Sequence, residues 1–418
     1  MADNEADESL AMDKVLGDDD LLREILLRLG FPTTLVRAAV VCKRWLRHAS
    51  QPAFLRSFRE RHPPGLLGVY VTVREPPQGW MMPIRPEFVP VPQPAELDVI
   101  LSRDSRAFEL DSNEEYSEIS VQCWNDGSML LYLGFLGGIM TVGSVRCPLL
   151  PKKARIYLPA SPLRYAYTSV NIIPSNTGDG LSVFLLALRP NYRMSQQTIA
   201  DFSELKDGTV WINRVSTAID IPRLEPESEP LLVGNKVYMV ASKANHELTL
   251  SLLDIETSTF SAINLPDEME HMYDGDYLLS KAYDSGVFLT HVKGTELHVW
   301  LLDAGAGEGN NWLLVNTVCL TELAAFQTIP TRQCEDDTDE QHDHHVVNVK
   351  VHAVGLNAEF VLLEMGDGLY SFHVASKVEE KVLDLKPMHT LTRVSPVFVT
   401  WPPIFPAIEL QPASDPKE

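Results

Sequence analysis

From about residue 97 onward the chain is written in short apolar runs rich in Val, Ile, Leu, Tyr and Phe, separated by Asp, Asn, Gly and Pro. Runs of that length and composition are strands, so this region is all-β. Three stretches, 231–266, 278–320 and 349–385, read as loose copies of one unit. Each copy opens on a turn followed by a strand: Gly234-Asn235-Lys236 before Val237, Asp284-Ser285-Gly286 before Val287, and Leu356-Asn357-Ala358 before Phe360. A second and a third strand follow in each, the third being 260–263, 312–318 and 378–385. The segments 128–133 with 155–158, and 183–188 with 209–215, fit the same plan more loosely. A period of roughly 40–50 residues made of hairpins is a propeller blade, which buries its faces only against neighbouring blades. A β-sandwich pair shares this composition and is the competing architecture.

The first sixty residues obey a different rule. Leu21, Leu22, Ile25, Leu26 and Leu29 recur at spacings of three and four behind Asp18-Asp19-Asp20, an acidic triplet suited to a helix N-terminus by capping and by dipole. Pro32-Thr33-Thr34 restarts a helix through Leu35, Val36, Ala39 and Val40, and Cys42-Lys43-Arg44-Trp45-Leu46 carries the pattern toward Gln51-Pro52. Three small helices bury little apolar area and need a partner. The expected layout is an acidic, unstructured segment 1–13, a helical module 14–62 and a Pro-rich connection 63–96 with one strand near 66–73. A β-domain over 97–400 and a Pro-rich tail over 401–418 complete it. The chain is thus an α+β multidomain protein whose all-β, propeller-like part has about six irregular blades.

Charge and cysteine usage narrow the function. The formal net charge is −22, while residues 1–62 hold ten Asp/Glu and ten Lys/Arg, so the whole deficit lies in the β-region. Such a balance lacks the basic surface that phosphate neutralisation needs, which argues against a nucleic-acid partner. Cys42, Cys123, Cys147, Cys319 and Cys334 are scattered, odd in number and show no CxxC pair, as expected of reduced thiols in a cytoplasmic or nuclear protein. The acidic N-terminus has no signal-peptide layout. Residues 127–145 form a charge-free run approaching bilayer length, but Gly134, Gly137, Gly138 and Gly143 read as turns between strands at 129–135 and 139–142. No membrane partner is expected.

No catalytic constellation emerges. GxSxG, HExxH and Walker-type motifs do not occur. Cys334, His342, His344 and His345 have the ligand types for zinc or copper, but their spacing fits no standard module and Glu335 to Glu340 surround them with carboxylates. The insert 334–345 reads as a solvated acidic loop, so no metal and no cofactor is expected. Gly305-Ala306-Gly307-Glu308-Gly309 lies between two strands with no helix to present amides to a phosphate, and reads as a hairpin turn. Glu114-Glu115 and Glu379-Glu380 point to opposite faces of a strand and cannot act jointly. The tryptophans Trp80, Trp124, Trp211, Trp300, Trp312 and Trp401 read mostly as core or inter-blade packing.

Taken together, the run from Leu16-Gly17-Asp18 through Leu29, then Leu35-Val36-Arg37-Ala38-Ala39-Val40-Val41-Cys42-Lys43-Arg44-Trp45 and Pro52-Ala53-Phe54-Leu55, resembles the F-box motif. The resemblance implies docking onto a Skp-type adaptor, and through it a cullin and a RING subunit. It assigns Leu16, Leu21, Ile25, Leu26, Leu29, Val40 and Trp45 to forming or supporting the apolar adaptor-binding face. The family usually opens on Leu-Pro, and here Gly17 replaces the proline, an exchange expected to weaken docking by about 1 kcal/mol through added backbone entropy. With Arg61-His62-Pro63-Pro64-Gly65-Leu66, Leu232-Val233-Gly234-Asn235 and Trp401-Pro402-Pro403, the whole is similar to the large grass family of F-box proteins with a propeller-like associated domain. That resemblance implies a non-catalytic substrate receptor of a ubiquitin ligase, its β-domain holding an unknown protein target. An F-box scaffold that delivers nothing for degradation, and an enzyme built on the same β-domain, are the alternatives.

Overall fold

A computed structural model describes residues 17–30, 32–62, 65–74, 85–93, 98, 110, 116–123, 129–135, 142–146, 156–159, 169–176, 181–191, 197–219, 225–226, 228–242, 248–266, 269, 277–282, 286–302, 312–327, 349–387 and 389–398. The expectations for 1–13, Leu16, Trp80, Trp124, the 305–309 turn, the 334–345 insert and the 401–418 tail fall outside the described residues. Two compact units divide the chain, Met1–Gly65 with Val399–Glu418, and Leu66–Phe398.

Among the described residues the first unit has four short helices, α1 (Asp19–Leu27), α2 (Pro32–Ala39), α3 (Lys43–Ala49) and α4 (Pro52–Arg61). Asp18 caps α1, its Oδ1 accepting from the backbone N–H of Asp20 at 2.9 Å and of Leu21 at 3.1 Å. Proline opens both α2 and α4, where its missing N–H costs nothing. The apolar pattern restarted at Pro32 and carried on toward Gln51; the structure ends α2 at Ala39, and α3 starts afresh at Lys43 behind Cys42 in extended backbone. Leu22, Leu26, Leu27, Leu35, Ala39, Ala49, Phe54 and Phe58 form the core. His62 Nε2 donates to the Leu27 carbonyl at 2.9 Å and its ring lies 4.4 Å from that of Phe58, tying the end of α4 to α1.

Among the described residues the second unit is almost all strand, with 3-10 turns at Leu320–Glu322 and Leu356–Ala358 and a four-residue helix, α5 (Ala324–Gln327). It opens with β1 (Leu66–Arg74) and β2 (Glu87–Pro90). Blade 1 comprises β3 (Tyr116–Cys123), β4 (Met129–Phe135), β5 (Val142–Arg146) and β6 (Ile156–Tyr157). Blade 2 comprises β7 (Ser169–Asn176), β8 (Leu181–Pro190), β9 (Thr198–Lys206) and β10 (Val210–Ile219). Blade 3 has β11 (Glu225–Pro226), β12 (Leu231–Val233), β13 (Lys236–Ser242), β14 (Leu248–Asp254) and β15 (Thr259–Ile263). Blade 4 runs through β16 (Tyr277–Lys281), β17 (Val287–Lys293), β18 (Glu296–Leu302) and β19 (Trp312–Cys319). Blade 5 runs through β20 (Val349–Val354), β21 (Phe360–Met365), β22 (Gly368–His373) and β23 (Val378–Asp384). The last strand, β24 (Thr390–Phe398), joins β1 and β2 as blade 6. All pairings are antiparallel, giving a six-blade propeller.

One strand of each sheet faces the axis: β12 lies against β7 and β16, β20 against β16 and β24, and β24 against β3. Pairing of β1 with β24, from Leu66↔Phe398 to Arg74↔Thr390, closes the ring with strands from its two chain ends. The β-domain therefore begins at Leu66 rather than at residue 97, and part of the expected connection 63–96 is blade 6. Prolines in that segment concealed the blade because Pro90 ends the edge strand β2, a position where a missing N–H breaks no ladder. On β1 a Cβ at Gly68 would fall 2.5 Å from the Val89 carbonyl oxygen, so only glycine permits this approach of β2.

Residues 127–145, the charge-free run, contain β4 and the start of β5, and among the described residues no helix is long and apolar enough to cross a membrane. Strands such as β13 are buried on both sides. Val237, Met239 and Ala241 pack toward blade 2, Tyr238 and Val240 toward blade 4. Equivalent clusters fill the seams between blades 1 and 2, 4 and 5, and 5 and 6. At the seam between blades 6 and 1 the buried Ser395 hydroxyl donates to the Val121 carbonyl at 2.7 Å.

Candidate protein-docking surfaces

Along α1 the apolar stripe splits into two columns. Leu22 and Leu26 are fully buried, whereas Leu21 and Ile25, one turn apart, are 47% and 36% exposed. The same happens in the next helix, where Leu35 and Ala39 are buried while Val36, Val40 and Val41 remain exposed, Val40 by 74%. Leu29 and Trp45 are half-buried against the core. Of the residues singled out by sequence, Leu21, Ile25 and Val40 thus offer apolar surface, Leu29 and Trp45 brace it, and Leu26 lies wholly beneath it. Leu16 lies outside the described residues. Val36 and Val41 belong to the exposed set and were not singled out; the sequence signal for them is a run of adjacent apolar residues wider than one buried column requires.

Two charge clusters fix this surface. Asp19 Oδ1 accepts from Arg44 Nε at 2.8 Å and lies 3.0 Å from His48 Nε2, linking α1 to α3. The same guanidinium donates from Nη2 to the Gly17 carbonyl at 2.7 Å. Glu24 accepts from Arg61 Nη1 and from Arg28 Nε, both at 3.0 Å, linking α1 to α4. The hydrogen bond from Arg44 holds the Asp19 carboxyl below its ordinary pKa, and that from Arg61 does the same for Glu24. Each pair is exposed and contributes little stability alone. Their effect is geometric, because α1 is oriented from both sides while Leu21 and Ile25 stay clear. Beside them Cys42 is a free, exposed thiol, and in the propeller Cys319 is a free, half-buried one.

In the propeller the described tryptophans sit at blade seams. Trp211, on the outer strand of blade 2, donates to the Pro159 carbonyl of blade 1 at 3.3 Å; Trp312, on the outer strand of blade 4, donates to the Asn264 carbonyl of blade 3 at 2.9 Å. Trp300 donates to His291 Nε2 at 3.0 Å inside the seam between blades 3 and 4. His291 is wholly buried opposite His298, their rings 5.0 Å apart edge to face. Burial first, then the charges of His298 and Lys293, push the His291 pKa down to about 4, so the imidazole is neutral over the physiological range. Its Nε2 accepts from Trp300, so its proton sits on Nδ1 and the ring serves the packing.

Glu379 and Glu380 point to opposite faces of β23, as the strand period requires, and Glu379 Oε1 accepts from the Ala325 N–H at 2.9 Å. Among the described residues no three His, Cys, Asp or Glu side chains converge as a metal site. Cys334, His342, His344 and His345 lie outside the described residues.

An F-box domain model matches residues 18–57, and the model of the F-box protein AT5G49610-like β-propeller matches residues 120–405. No curated protein matches the chain. Among solved structures, a puromycin-hydrolysing peptidase of Mycobacterium tuberculosis is similar at TM-score 0.34 and 10% identity, over 63% of this chain and 37% of that one. A mutant of AofleA from Arthrobotrys oligospora is similar at TM-score 0.36 and 8% identity, over 64% and 72%. Oligopeptidase B from Leishmania major is similar at TM-score 0.33 and 10% identity, over 78% and 46%. This chain therefore spans less than half the length of the two peptidases. Four helices matching the F-box, followed by six blades of which the matched span covers five and closes on the last strand, place the chain in the F-box protein AT5G49610-like β-propeller family.

Proposed function

We propose that the chain is the substrate-receptor subunit of a Skp–cullin–F-box ubiquitin ligase, of the kind found among grass F-box proteins, acting in the cytoplasm or nucleus. The observation that carries this reading is the split of the F-box stripe into a buried column and an exposed one. Leu22 and Leu26 hold the module together, which leaves Leu21, Ile25, Val36, Val40 and Val41 for a Skp-type adaptor. The adaptor joins a cullin and a RING subunit, and the propeller holds a protein target. The receptor itself catalyses nothing; it raises the effective concentration of the target near the charged ubiquitin carrier.

Co-purification of the full chain with a Skp-type adaptor tests the first step, and unchanged binding after Leu21→Asp with Ile25→Asp would refute the assigned face. Gly17 has open space around its Cβ position and no left-handed φ. Gly17→Pro is expected to tighten the adaptor by up to about fivefold by removing backbone entropy. Cullin co-precipitation, with a target that accumulates when the chain is removed, separates a receptor from a non-degradative scaffold.

A further inference from the structure

Blade 4 ends in β19, whose eight residues, Trp312 to Cys319, include no charged side chain. Leu313, Leu314 and Val315 are 59%, 40% and 44% exposed. Because they are consecutive, both faces of the strand are open, not one. Two other outer strands carry the charges that discourage edge pairing, Arg214 on β10 and Glu379, Glu380, Lys381 and Asp384 on β23; β15 and the two-residue β6 are also uncharged, but β15 exposes no large apolar side chain. On β19 no such guard exists. The strand is also held firmly at both ends, by the Trp312 indole on Asn264 and by the Leu320 N–H on the Thr295 carbonyl at 2.8 Å. Its inner side pairs with β18 throughout, from Leu302↔Trp312 to Glu296↔Cys319, with Val315 as a bulged residue. Among the described residues no strand lies on its outer side.

We propose that β19 is a docking strand, on which an extended, uncharged aliphatic or β-branched segment of another protein adds to blade 4 as a further strand. The open backbone edge selects extended chain, and Leu313, Leu314 and Val315 select apolar side chains. The net charge of −22 opposes a second copy of this chain as occupant and favours a segment with basic flanks. Calling that segment part of the target rests on the receptor reading; the pairing itself does not.

The test uses the full chain and a biotinylated probe peptide, Lys-Lys-Gly-Thr-Val-Thr-Val-Ile-Val-Gly-Lys-Lys, beside a control with proline at alternate inner positions. The expected result is saturable binding of the probe alone, with hydrogen-exchange protection gained at 312–319. Leu313→Lys combined with Val315→Lys should weaken binding at least tenfold while adaptor co-purification is retained. Equal binding of the proline control, protection confined to other strands, or undiminished binding by the double variant overturns the proposal. So does sedimentation of the free chain as a dimer already protected at 312–319, which makes a second copy the occupant. The exchange map of the unmodified chain decides the matter even if the variant misfolds. Loss of adaptor binding in Leu21→Asp with Ile25→Asp, with the probe still bound, shows that the two readings stand or fall separately.

Discussion

Arg393 and Glu229, 164 residues apart in sequence, form an ion pair between Nη2 and Oε1. Arg393 lies on β24 in blade 6, and Glu229 lies two residues before β12 in blade 3. In a ring of six, with β24 beside β20 and β3 and β12 beside β7 and β16, these are opposite blades. The pair therefore reaches across the axis rather than along a seam. Ring closure by β1 and β24 is what brings the C-terminal strand within reach of the third blade.

Both partners of this pair are substantially exposed. Arg393→Ala and Glu229→Ala should each lower stability by no more than about 1 kcal/mol, with a double-mutant coupling of about 0.5 kcal/mol that shrinks in high salt. Urea titrations of the four proteins at two ionic strengths measure it.

Buried charge behaves differently. Asp201 on β9 is 4% exposed, accepts from Arg189 Nε at 3.1 Å and from the Ser216 hydroxyl at 2.5 Å. Asp201→Ala removes the buried acceptor shared by the half-buried Arg189 guanidinium and the Ser216 hydroxyl, and is expected to cost about 2 kcal/mol. A fall in the thermal midpoint, with Arg189→Met restoring part of it in the double variant, is the predicted outcome.

The His291 imidazole gives the propeller an acid sensitivity. Its folded pKa of about 4 lies below its ordinary value of 6.5, so the unfolded chain binds the extra proton between those limits. Its contribution to stability is complete above pH 6.5, falls as the pH drops toward 4, and is lost below that; it amounts to a few kcal/mol at most. Tyr277 and His298 face it across the sheet, and Lys293 and Glu296 close the same hairpin. Glu296 Oε2 lies 3.0 Å from His298 Nε2. His291→Gln should flatten the fall in denaturation midpoint between pH 6.5 and 4, and an unchanged pH profile in this variant would show that another group sets it.

Within the F-box the two columns of α1 are expected to separate folding from binding. Leu26→Ala should destabilise the helical unit by about 3 kcal/mol, because the side chain is fully buried in a small core. Leu21→Ala should change stability by no more than about 0.5 kcal/mol. Denaturation followed by a helical circular-dichroism signal distinguishes them, and equal losses in both variants would place Leu21 in the core.

Periodicity carried most of the architecture. The units at 231–266, 278–320 and 349–385 correspond to blades 3, 4 and 5, since hairpin turns such as Gly234-Asn235, with φ of +59° at the glycine, are local and leave a local signature. The apolar stripe of α1 was equally legible. Its division was not, because Leu21 and Leu22 are both apolar and only the packing of Phe54, Phe58 and Leu35 decides which column faces inward.

Local chemistry thus determined the helical head, the strands, the turns and the lack of charge on β19, each being a matter of neighbouring residues, while the break between α2 and α3 came from the fold. Tertiary structure alone decided that Leu66–Arg74 and Glu87–Pro90 belong to the propeller, that Trp211 and Trp312 brace the seams of blades 1 and 2 and of blades 3 and 4 in the same manner, and that Arg393 meets Glu229. Each of these joins residues far apart in the chain, and no sequence period encodes the order in which blades close a ring. For the same reason only the fold shows which edge is left open, since every blade has an outer strand and exposure is set by what packs beside it.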